Sequence, residues 1–238
     1  MSGHSKWNNI KRKKEKTDAQ RAKIFTKIGR ELSVAVKEGG ADPNSNFKLR
    51  DCIAKAKSNN VPNDNIERII KKAASGADGS EFENITYEGY GPSGVAIIVE
   101  TLTDNRNRTA GNLRHYFSKY GGNLGSTGCV SFMFAQKGII AIDLENIDVS
   151  KLEEDAIESG ASDFVIDDDC FIIYTEKEDY ENVCSYLKDK NYEFISSEIG
   201  MVPDTYTSLD EEESSKVNVL LDILDEDEDV QNVWHNLK

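Results

Sequence analysis

Positively charged side chains are concentrated in the first thirty residues, which hold ten Lys or Arg against two acidic residues. At this density, cations can replace the counterions condensed on a phosphate backbone, which gives an affinity that depends on salt and not on base sequence. The segment therefore predicts contacts with nucleic acid. The cations assigned to these contacts are Lys11, Arg12, Lys13, Lys14, Lys16, Lys23, Lys27 and Arg30.

Trp7 lies at the edge of this basic segment, close to polar residues such as Ser5. An aromatic ring in this position can stack on an unpaired base, and a nearby hydroxyl can bond to a phosphate or a base. The alternative is that Trp7 packs the N-terminal arm onto a helical bundle. The residue pattern alone leaves both interpretations open.

A second group of cations lies in TDNRNRT, residues 103–109, where Arg106 and Arg108 fall in the first turn of a predicted helix. The helix dipole favours anions at this end, so local stability does not account for two arginines there. Backbone N–H groups and guanidinium groups together form a good anion site. The alternative is ion pairing with carboxylates such as Glu88 or Glu100. The candidate anion-binding or RNA-contact residues are Asn105, Arg106, Asn107 and Arg108.

The sequence contains no arrangement of residues that is typical of catalysis. Its three histidines are scattered, with neither an H-E-x-x-H motif nor a pair at metal-ligand spacing. The glycine-rich residues 121–128 lack the lysine of a P-loop and follow a predicted helix, so they are interpreted as a tight turn. We therefore expect no catalytic residues, no metal and no small-molecule cofactor. An enzyme acting on a phosphorylated substrate at Arg106 and Arg108 is the alternative.

The two parts of the chain differ strongly in charge. Residues 1–75 contain 18 Lys/Arg and 8 Asp/Glu, a balance of +10, whereas residues 76–238 contain 11 Lys/Arg and 35 Asp/Glu, a balance of -24. This asymmetry indicates an anionic partner for the first part, and nucleic acid is the commonest one. The alternative is that the basic part docks on the acidic remainder of the same chain. The acidic runs Asp210–Glu213 and Asp225–Asp229 are interpreted as solvated turns or helix surfaces.

The elements that must position these residues are helices first and strands later. Three helices are predicted within residues 1–75, the first with an apolar stripe from Phe25 to Val36 and its cations on the opposite face. Asp42-Pro43 is predicted to open the second helix and Pro62 the third. A strand is predicted at CVSFMFA, residues 129–135, and Asp104 is expected to cap the helix that carries Arg106.

The later part predicts the order β-α-β-β-α-β over residues 137–203, which is the ferredoxin-like order. A helix near residues 214–224 and a strand at VQNVWHNL could then return to complete the unit that begins at residue 83. The predicted fold class is therefore α+β, with an N-terminal three-helix domain followed by two α/β plait domains, one inserted into the other. The predicted boundaries are 1–76, then 82–135 plus 204–238, with 136–203 inserted.

Apolar runs and cysteine spacing indicate the cellular compartment of the protein. The longest apolar runs, such as Val95–Val99, are too short to span a bilayer, and no apolar signal region is found near the start. The four cysteines lie far apart without a C-x-x-C pair, which is typical of reduced, buried thiols. These patterns predict a cytoplasmic protein without membrane contact.

Three motifs, GHSKW near the start, YEGYGP and LTDNRNRT, resemble the YebC family, and the similarity extends over nearly the whole chain. The resemblance implies a helical N-terminal domain followed by two α/β domains, one inserted into the other. It also implies a regulator of gene expression, in most members a probable DNA-binding transcriptional regulator. The alternative function within the family is a translation factor associated with ribosomal RNA, which relieves stalled ribosomes.

The match also adds candidate residues to the arm that precedes the basic run. His4, Ser5, Lys6 and Trp7 lie in the matched GHSKW motif, and they are taken as nucleic-acid-binding candidates because of that resemblance. The expected partners are thus DNA or ribosomal RNA. If the partner is ribosomal RNA, the ribosome is also an expected partner.

Overall fold

The first part of the chain is helical, as the apolar spacing predicts. The protein's structure is a computed structural model that describes residues 18–76, 81–167 and 170–238. Ile28, Leu32 and Ala35 of the first helix are fully or almost fully buried, together with apolar residues of the next two helices. Residues 18–76 are called the helical unit below. Its helices are α1 (Asp18–Gly39), α2 (Phe47–Ser58) and α3 (Asn63–Ala74).

The start of α2 differs from the prediction. Asp42-Pro43 does not open this helix; residues 42–45 form a turn, and the N-cap is Asn46, whose side chain accepts a hydrogen bond from the Leu49 N–H at 3.0 Å. The Asn46 amide also donates to the carbonyls of Ala35 and Gly40, at 2.7 and 2.8 Å. One buried side chain therefore ends α1 and begins α2, a double role that favours it over Asp42.

The first antiparallel sheet consists of β1 (Glu83–Tyr90), β2 (Ala96–Thr103), β3 (Asn123–Leu124) and β8 (Val230–His235), and its helices are α4 (Arg106–Lys119) and α7 (Glu211–Glu226). Its strand order is β3-β1-β2-β8. Strands β1 and β2 form a hairpin, and β8 returns from the end of the chain to pair with β2. Helices α4 and α7 contribute Leu113, Phe117 and Leu220 to the core beneath this sheet.

The second antiparallel sheet consists of β4 (Phe134–Asp143), β5 (Asp163–Asp167), β6 (Cys170–Glu176) and β7 (Phe194–Pro203), and the helices α5 (Val149–Glu158) and α6 (Tyr180–Asp189) pack against it. Its strand order is β5-β6-β4-β7, as the β-α-β-β-α-β pattern predicts. Its formation and the return of β8 confirm the predicted α+β fold class. The exact domain boundaries stay predictions.

The strand predicted at residues 129–135 is wrong for most of its length. Residues 131–133 form a 3-10 turn, and β4 begins only at Phe134 and continues unbroken to Asp143. The buried carboxylate of Glu88 accepts hydrogen bonds from the N–H groups of Gly128, Val130 and Ser131, at 2.8 to 2.9 Å. These three bonds use the donors that a strand ladder would need.

The two sheets share one apolar core. Ala96, Ile98 and Trp234 of the first sheet pack with residues of the second, among them Ile139 and Ile172. Gly200 of β7 lies so close to the Trp234 ring that a methyl group there would overlap it.

Within the described ranges, no helix combines the length and the apolar character that crossing a membrane requires.

Candidate nucleic-acid interface

The predicted contact residues divide into those that the structure describes and those that it does not. Lys23, Lys27 and Arg30 lie on α1, and Asn105 to Arg108 lie at the start of α4. The others lie outside the described residues, and their assignment to nucleic acid stays a prediction. These are His4, Ser5, Lys6, Trp7, Lys11, Arg12, Lys13, Lys14 and Lys16.

The cations of α1 lie opposite its apolar stripe, as predicted, but they face the acidic run Asp225–Asp229, which is called the acidic segment below. Lys23 Nζ lies 3.5 Å from Glu226 Oε2. Lys27, only 8% exposed, donates from Nζ to the main-chain carbonyl of Asp225 at 2.6 Å. The interpretation of this run as solvated is therefore wrong for Asp229, which is buried, whereas Glu226 and Glu228 are exposed.

Arg30 makes the closest set of contacts with the acidic segment. Its Nη1 donates to the Glu228 carbonyl at 2.6 Å and to Asp229 Oδ1 at 2.8 Å. Its guanidinium carbon also lies 5.5 Å from the centre of the Phe82 ring, within the range of a cation–π contact. Arg30 is therefore fixed on both sides, by the acidic segment and by the residue that precedes β1.

Asp229 joins the two groups of cations that the sequence treats separately. Arg108 of α4 donates from Nη2 to Asp229 Oδ2 at 2.8 Å, on the carboxylate whose other oxygen accepts from Arg30. The hydroxyls of Thr109 and Thr103 add hydrogen bonds to Oδ2 at 2.7 and 3.2 Å. The residue is only 3% exposed. A buried carboxylate with these donors is a fully paired charge, which is the condition under which burial is tolerated.

The protonation of Asp229 follows from these contacts. Burial alone raises the pKa of a carboxyl group, because it penalises the charged form. Here the hydrogen bonds from Arg108 and Thr109, the Arg108 charge and the hydrogen bond from Arg30 outweigh burial, and the pKa is held below its ordinary value of 3.8. Asp229 is therefore ionised throughout the physiological range and acts as a permanent counter-charge for both arginines.

The start of α4 is partly occupied by contacts within the protein. The cap is Asn105, and not Asp104 as predicted: its side chain accepts from the Arg108 N–H at 3.1 Å. Asp104 instead pairs with the Arg108 guanidinium at 2.8 Å. Arg108 thus pairs with carboxylates, although neither Glu88 nor Glu100 is involved. Asn105 and Arg108 are committed to the fold.

Arg106 and Asn107 differ from their neighbours. Both side chains are exposed, and neither forms a side-chain hydrogen bond or ion pair with another residue in the described ranges. The main-chain carbonyl of Arg106 accepts from the Tyr87 hydroxyl at 3.4 Å. Of the four residues in the predicted anion site, these two remain open to a partner.

A cavity of about 100 Å³ lies between the helical unit and the acidic segment. Its lining is highly charged, with Lys23, Lys27 and Lys55 facing Glu31, Asp225 and Glu226. Lys55 Nζ donates to both carboxylate oxygens of Glu31, at 2.7 and 2.9 Å. This contact surface is thus polar and incompletely filled.

No group of His, Cys, Asp and Glu in the described residues could hold a metal ion.

Sequence reasoning missed Asp229 as the shared partner of Arg30 and Arg108. Asp229 is 199 residues from Arg30 and 121 from Arg108, so no local pattern connects it with them. The only available signal was the opposite charge of the two parts of the chain, which had left docking within the chain as an alternative. The structure shows this docking for Lys23, Lys27 and Arg30.

Comparison with known proteins shows similarity along almost the whole chain. The profile described as "TACO1/YebC protein N-terminal domain" matches residues 5–76, and that described as "TACO1/YebC second and third domain" matches residues 82–237. The "Probable transcriptional regulatory protein ORF2U" of Hathewaya histolytica is 56% identical over 237 residues, which is 99% of this chain and 96% of the relative. A "Probable transcriptional regulatory protein" of Acetivibrio thermocellus is 55% identical, covering 99% of this chain and 98% of the relative.

A solved structure has the same fold. It is described as "Crystal Structure of a Conserved Hypothetical Protein Aq1575 from Aquifex Aeolicus", and it superposes with a TM-score of 0.86 at 44% sequence identity. The match covers 94% of this chain and 92% of the other. The arrangement of helical unit and sheets is therefore shared with a natural relative.

Proposed function

Since the chain belongs to the TACO1/YebC family, we propose that it is a nucleic-acid-binding regulator of gene expression that acts through its basic N-terminal part. The relatives named as probable transcriptional regulatory proteins support regulation of transcription, and hence DNA as the partner. The proposed role is binding, without a catalytic step, and it would be carried out in the cytoplasm.

The charge distribution is the observation that carries this proposal. The first 75 residues hold a balance of +10, although the whole chain has a net charge of -14. On α1, three of the cations are neutralised by the acidic segment. The contact with phosphate is therefore assigned chiefly to the cations that precede α1, Lys11 to Lys16, with the arm from His4 to Trp7 beside them.

One observation favours RNA as a second candidate partner. A helix that reads the major groove must present its polar face to the bases, and on the polar face of α1 the cations Lys23, Lys27 and Arg30 contact the acidic segment instead. Binding through the remaining cations and Trp7 would depend on shape, charge and stacking, which suits folded or unpaired RNA. The second candidate function is therefore a translation factor that binds ribosomal RNA and acts on stalled ribosomes.

Charge reversal in the basic run tests the proposal. The variant Lys11→Glu/Arg12→Glu/Lys13→Glu is compared with the wild type for binding to duplex DNA and to folded RNA between about 50 and 200 mM salt. We expect weaker binding and a shallower dependence of log affinity on log salt. The matched control is Lys151→Glu/Lys177→Glu/Lys238→Glu, which changes the net charge equally at exposed positions in the acidic part. Equal slopes for the wild type and the first variant would contradict the proposal.

Two further measurements distinguish the candidate partners. Co-sedimentation with ribosomes from the protein's own cell extract, beside recovery of bound DNA, shows which fraction retains the protein. A transcriptional regulator is expected to prefer its DNA site over unrelated duplex by roughly 10³-fold or more. Retention in the ribosomal fraction alone would support the translation factor.

A further inference from the structure

Three cations of α1 lie in one line along the helix. Lys23, Lys27 and Arg30 are spaced by four and then three residues, so they fall within an arc of about 60° on the helix surface. Seven residues of helix make this line about 10 Å long. Leu32 and Val36 lie on the opposite side of α1, in the core of the helical unit. The three cations are called the cationic stripe below.

The acidic segment places negative charges against this stripe. Lys23 Nζ lies 3.5 Å from Glu226 Oε2, and Arg30 Nη2 lies 3.4 Å from Glu228 Oε2. Every residue of the acidic segment carries a carboxylate. Residues of a chain are at most ~3.5 Å apart, and a duplex strand carries one phosphate per ~3.4 Å of its axis. The segment therefore offers the stripe a charge density comparable with that of a nucleic-acid backbone.

These contacts are of a kind that another polyanion can replace. The side chains of Lys23 and Glu226 are 40% and 50% accessible, and that of Glu228 is 58% accessible. Exposed ion pairs of this kind are weak, and salt screens them. The cavity of about 100 Å³ lies between the same two surfaces, so close packing adds little to the contacts.

Asp229, the buried member of the acidic segment, keeps its charge compensated without Arg30. Its Oδ2 accepts hydrogen bonds from Arg108 Nη2 at 2.8 Å and from the Thr109 hydroxyl at 2.7 Å. Both donors belong to α4, which packs with the first sheet, and not to the helical unit. Separation of α1 from the segment would therefore leave no buried carboxylate without a partner, which is the costly case.

Helix α1 has dimensions that suit duplex DNA. Its 22 residues make a helix about 33 Å long, and the major groove, about 12 Å wide, admits an α-helix. Once uncovered, the stripe is the polar face that such a helix must present. The basic run Lys11 to Lys16 precedes α1 in the chain. A duplex held by that run would reach Lys23 first, which is the most accessible cation of the stripe.

We propose that the acidic segment is an internal competitor of duplex DNA for the cationic stripe. In the free protein the segment occupies the stripe. When a duplex binds, its phosphates take over Lys23, Lys27 and Arg30, and the helical unit separates from the segment. The inference rests on the proposed function and deepens it, since it adds the regulation of DNA binding. Because the two events are linked, DNA releases the segment to the same extent that the segment weakens DNA binding.

Cross-linking of one ion pair measures this competition directly. A carbodiimide joins a lysine amine to a carboxylate that touches it, so it should join Lys23 to Glu226 in the free protein. Saturating duplex DNA should lower the yield of this cross-link, measured by mass spectrometry, by roughly fivefold or more. The matched control is the exposed pair of Lys48 and Glu38, 2.6 Å apart within the helical unit, whose yield should not change. An unchanged yield for Lys23 and Glu226 would overturn the proposal.

Removal of the competing charges should strengthen binding. In Glu226→Gln/Glu228→Gln, which leaves Asp229 in place, we expect duplex DNA to bind roughly three- to tenfold more tightly. The control, Glu145→Gln/Glu154→Gln, changes the net charge equally at exposed positions of the second sheet unit and should bind nearly as the wild type does. Equal gains in the two variants would overturn the proposal, because the gain would then reflect net charge alone.

Removal of the cations gives an independent measurement. Lys23→Gln/Arg30→Gln should reduce the slope of log affinity against log salt by about 2, one for each phosphate contact. The control, Lys151→Gln/Lys177→Gln, removes the same charge from exposed positions of the second sheet unit and should keep the slope of the wild type. If the slope of the first variant also equals that of the wild type, the stripe does not contact DNA and the proposal fails.

These outcomes separate the competition from the proposed function. If the wild type binds duplex DNA and loses affinity on charge reversal at Lys11 to Lys13, while DNA leaves the cross-link of Lys23 with Glu226 unchanged, only the competition is wrong. If folded RNA lowers the cross-link yield and duplex DNA does not, the choice of DNA as the competing ligand is wrong. If the wild type binds no duplex DNA, both the DNA-binding role and the competition fail.

Discussion

The two sheets contact each other through apolar side chains, whereas the helical unit contacts the sheets mainly through charges. Trp234 packs on Gly200 and within a core shared by both sheets. The buried core of the helical unit, by contrast, contains residues of α1 to α3 and their connections only. Its contact with the acidic segment consists of ion pairs and hydrogen bonds around a cavity of about 100 Å³.

This difference has physical consequences. Apolar burial depends little on salt or pH, and removal of a large side chain leaves a cavity that the surroundings fill only partly. Ion pairs near the surface weaken with salt, and carboxylates lose their charge at low pH. Polar interfaces between domains also permit relative movement more readily than large apolar ones. The contact between the two sheets is called the apolar junction, and the contact between the helical unit and the acidic segment is called the charged junction. The two junctions should therefore respond to different perturbations.

The largest effect is expected at the apolar junction. Trp234→Ala should lower the free energy of unfolding by about 3–5 kcal/mol, because it removes the ring that both sheets pack against. Urea unfolding followed by far-ultraviolet circular dichroism measures this loss. Trp234→Phe, which keeps most of the apolar volume, is the control and should lose less. A loss under ~1 kcal/mol in Trp234→Ala would mean that the sheets do not depend on this contact.

A smaller effect is expected at the charged junction. Asp229→Asn should lower the free energy of unfolding by about 2 kcal/mol, because it leaves Arg30 and Arg108 without their shared counter-charge. The control is Glu226→Gln, whose side chain is half-exposed and which pairs with Lys23 at 3.5 Å. It should change stability by less than about 0.5 kcal/mol. Equal losses in the two variants would contradict a special role for Asp229.

Acid should remove the contribution of Asp229 selectively. Because the pKa of its carboxyl is lowered by folding, its stabilisation is fully present above the ordinary value of 3.8 and is lost as the pH falls through the lowered pKa. The difference in unfolding free energy between the wild type and Asp229→Asn should therefore be constant above pH 4 and narrow below it. A difference that stays constant down to pH 2 would show that the charge does not matter.

Salt distinguishes the junctions without a mutation. Raising the salt concentration from 0.1 to 1 M shortens the Debye length from about 10 to about 3 Å. The radius of gyration from small-angle scattering should then increase as the helical unit separates from the acidic segment, and increase further in Asp229→Asn. The contact between the sheets should be unaffected. An unchanged radius in both proteins would show that charge screening does not release the helical unit.

The smallest effect concerns an ion pair that belongs to neither junction. Lys71 lies 3.7 Å from Glu67 on the exposed face of α3, with 80% and 67% of the two side chains accessible. Lys71→Ala should change the free energy of unfolding by at most about 0.5 kcal/mol. A larger loss, measured by urea unfolding, would mean that exposed ion pairs also stabilise this protein. The contribution of Asp229 could then not be attributed to its burial.

The sequence predicted what depends on local periodicity. The three helices of the N-terminal part and the β-α-β-β-α-β order of the second sheet follow from apolar spacing and turn residues, and the structure confirms them. Prediction failed where a single side chain from a distant part of the chain changes which local structure forms. Asn46 caps α2 while bonded to α1, and Glu88 uses the backbone donors of residues 128–131.

The candidate site was predicted less well, because its organisation depends on contacts between distant parts of the chain. Density of charge identified Lys23, Lys27 and Arg30, but charge alone could not show that the acidic segment covers them. The arginines of TDNRNRT were identified by their unusual position at a helix start. Which of them is free depends on Asp229, whose partners lie more than a hundred residues away.

The position of the joining residues along the chain affects how the protein assembles during synthesis. Asp229 is made after its partners Arg30 and Arg108, and Trp234 is made after the strands β2, β4 and β6 of the shared core. The helical unit and the second sheet can therefore fold as separate bodies while the chain grows, since domains generally fold as units in order of synthesis. The acidic segment then attaches the helical unit, and Trp234 of β8 attaches the second sheet, so an interrupted chain that stops before residue 225 would contain folded parts without their final arrangement.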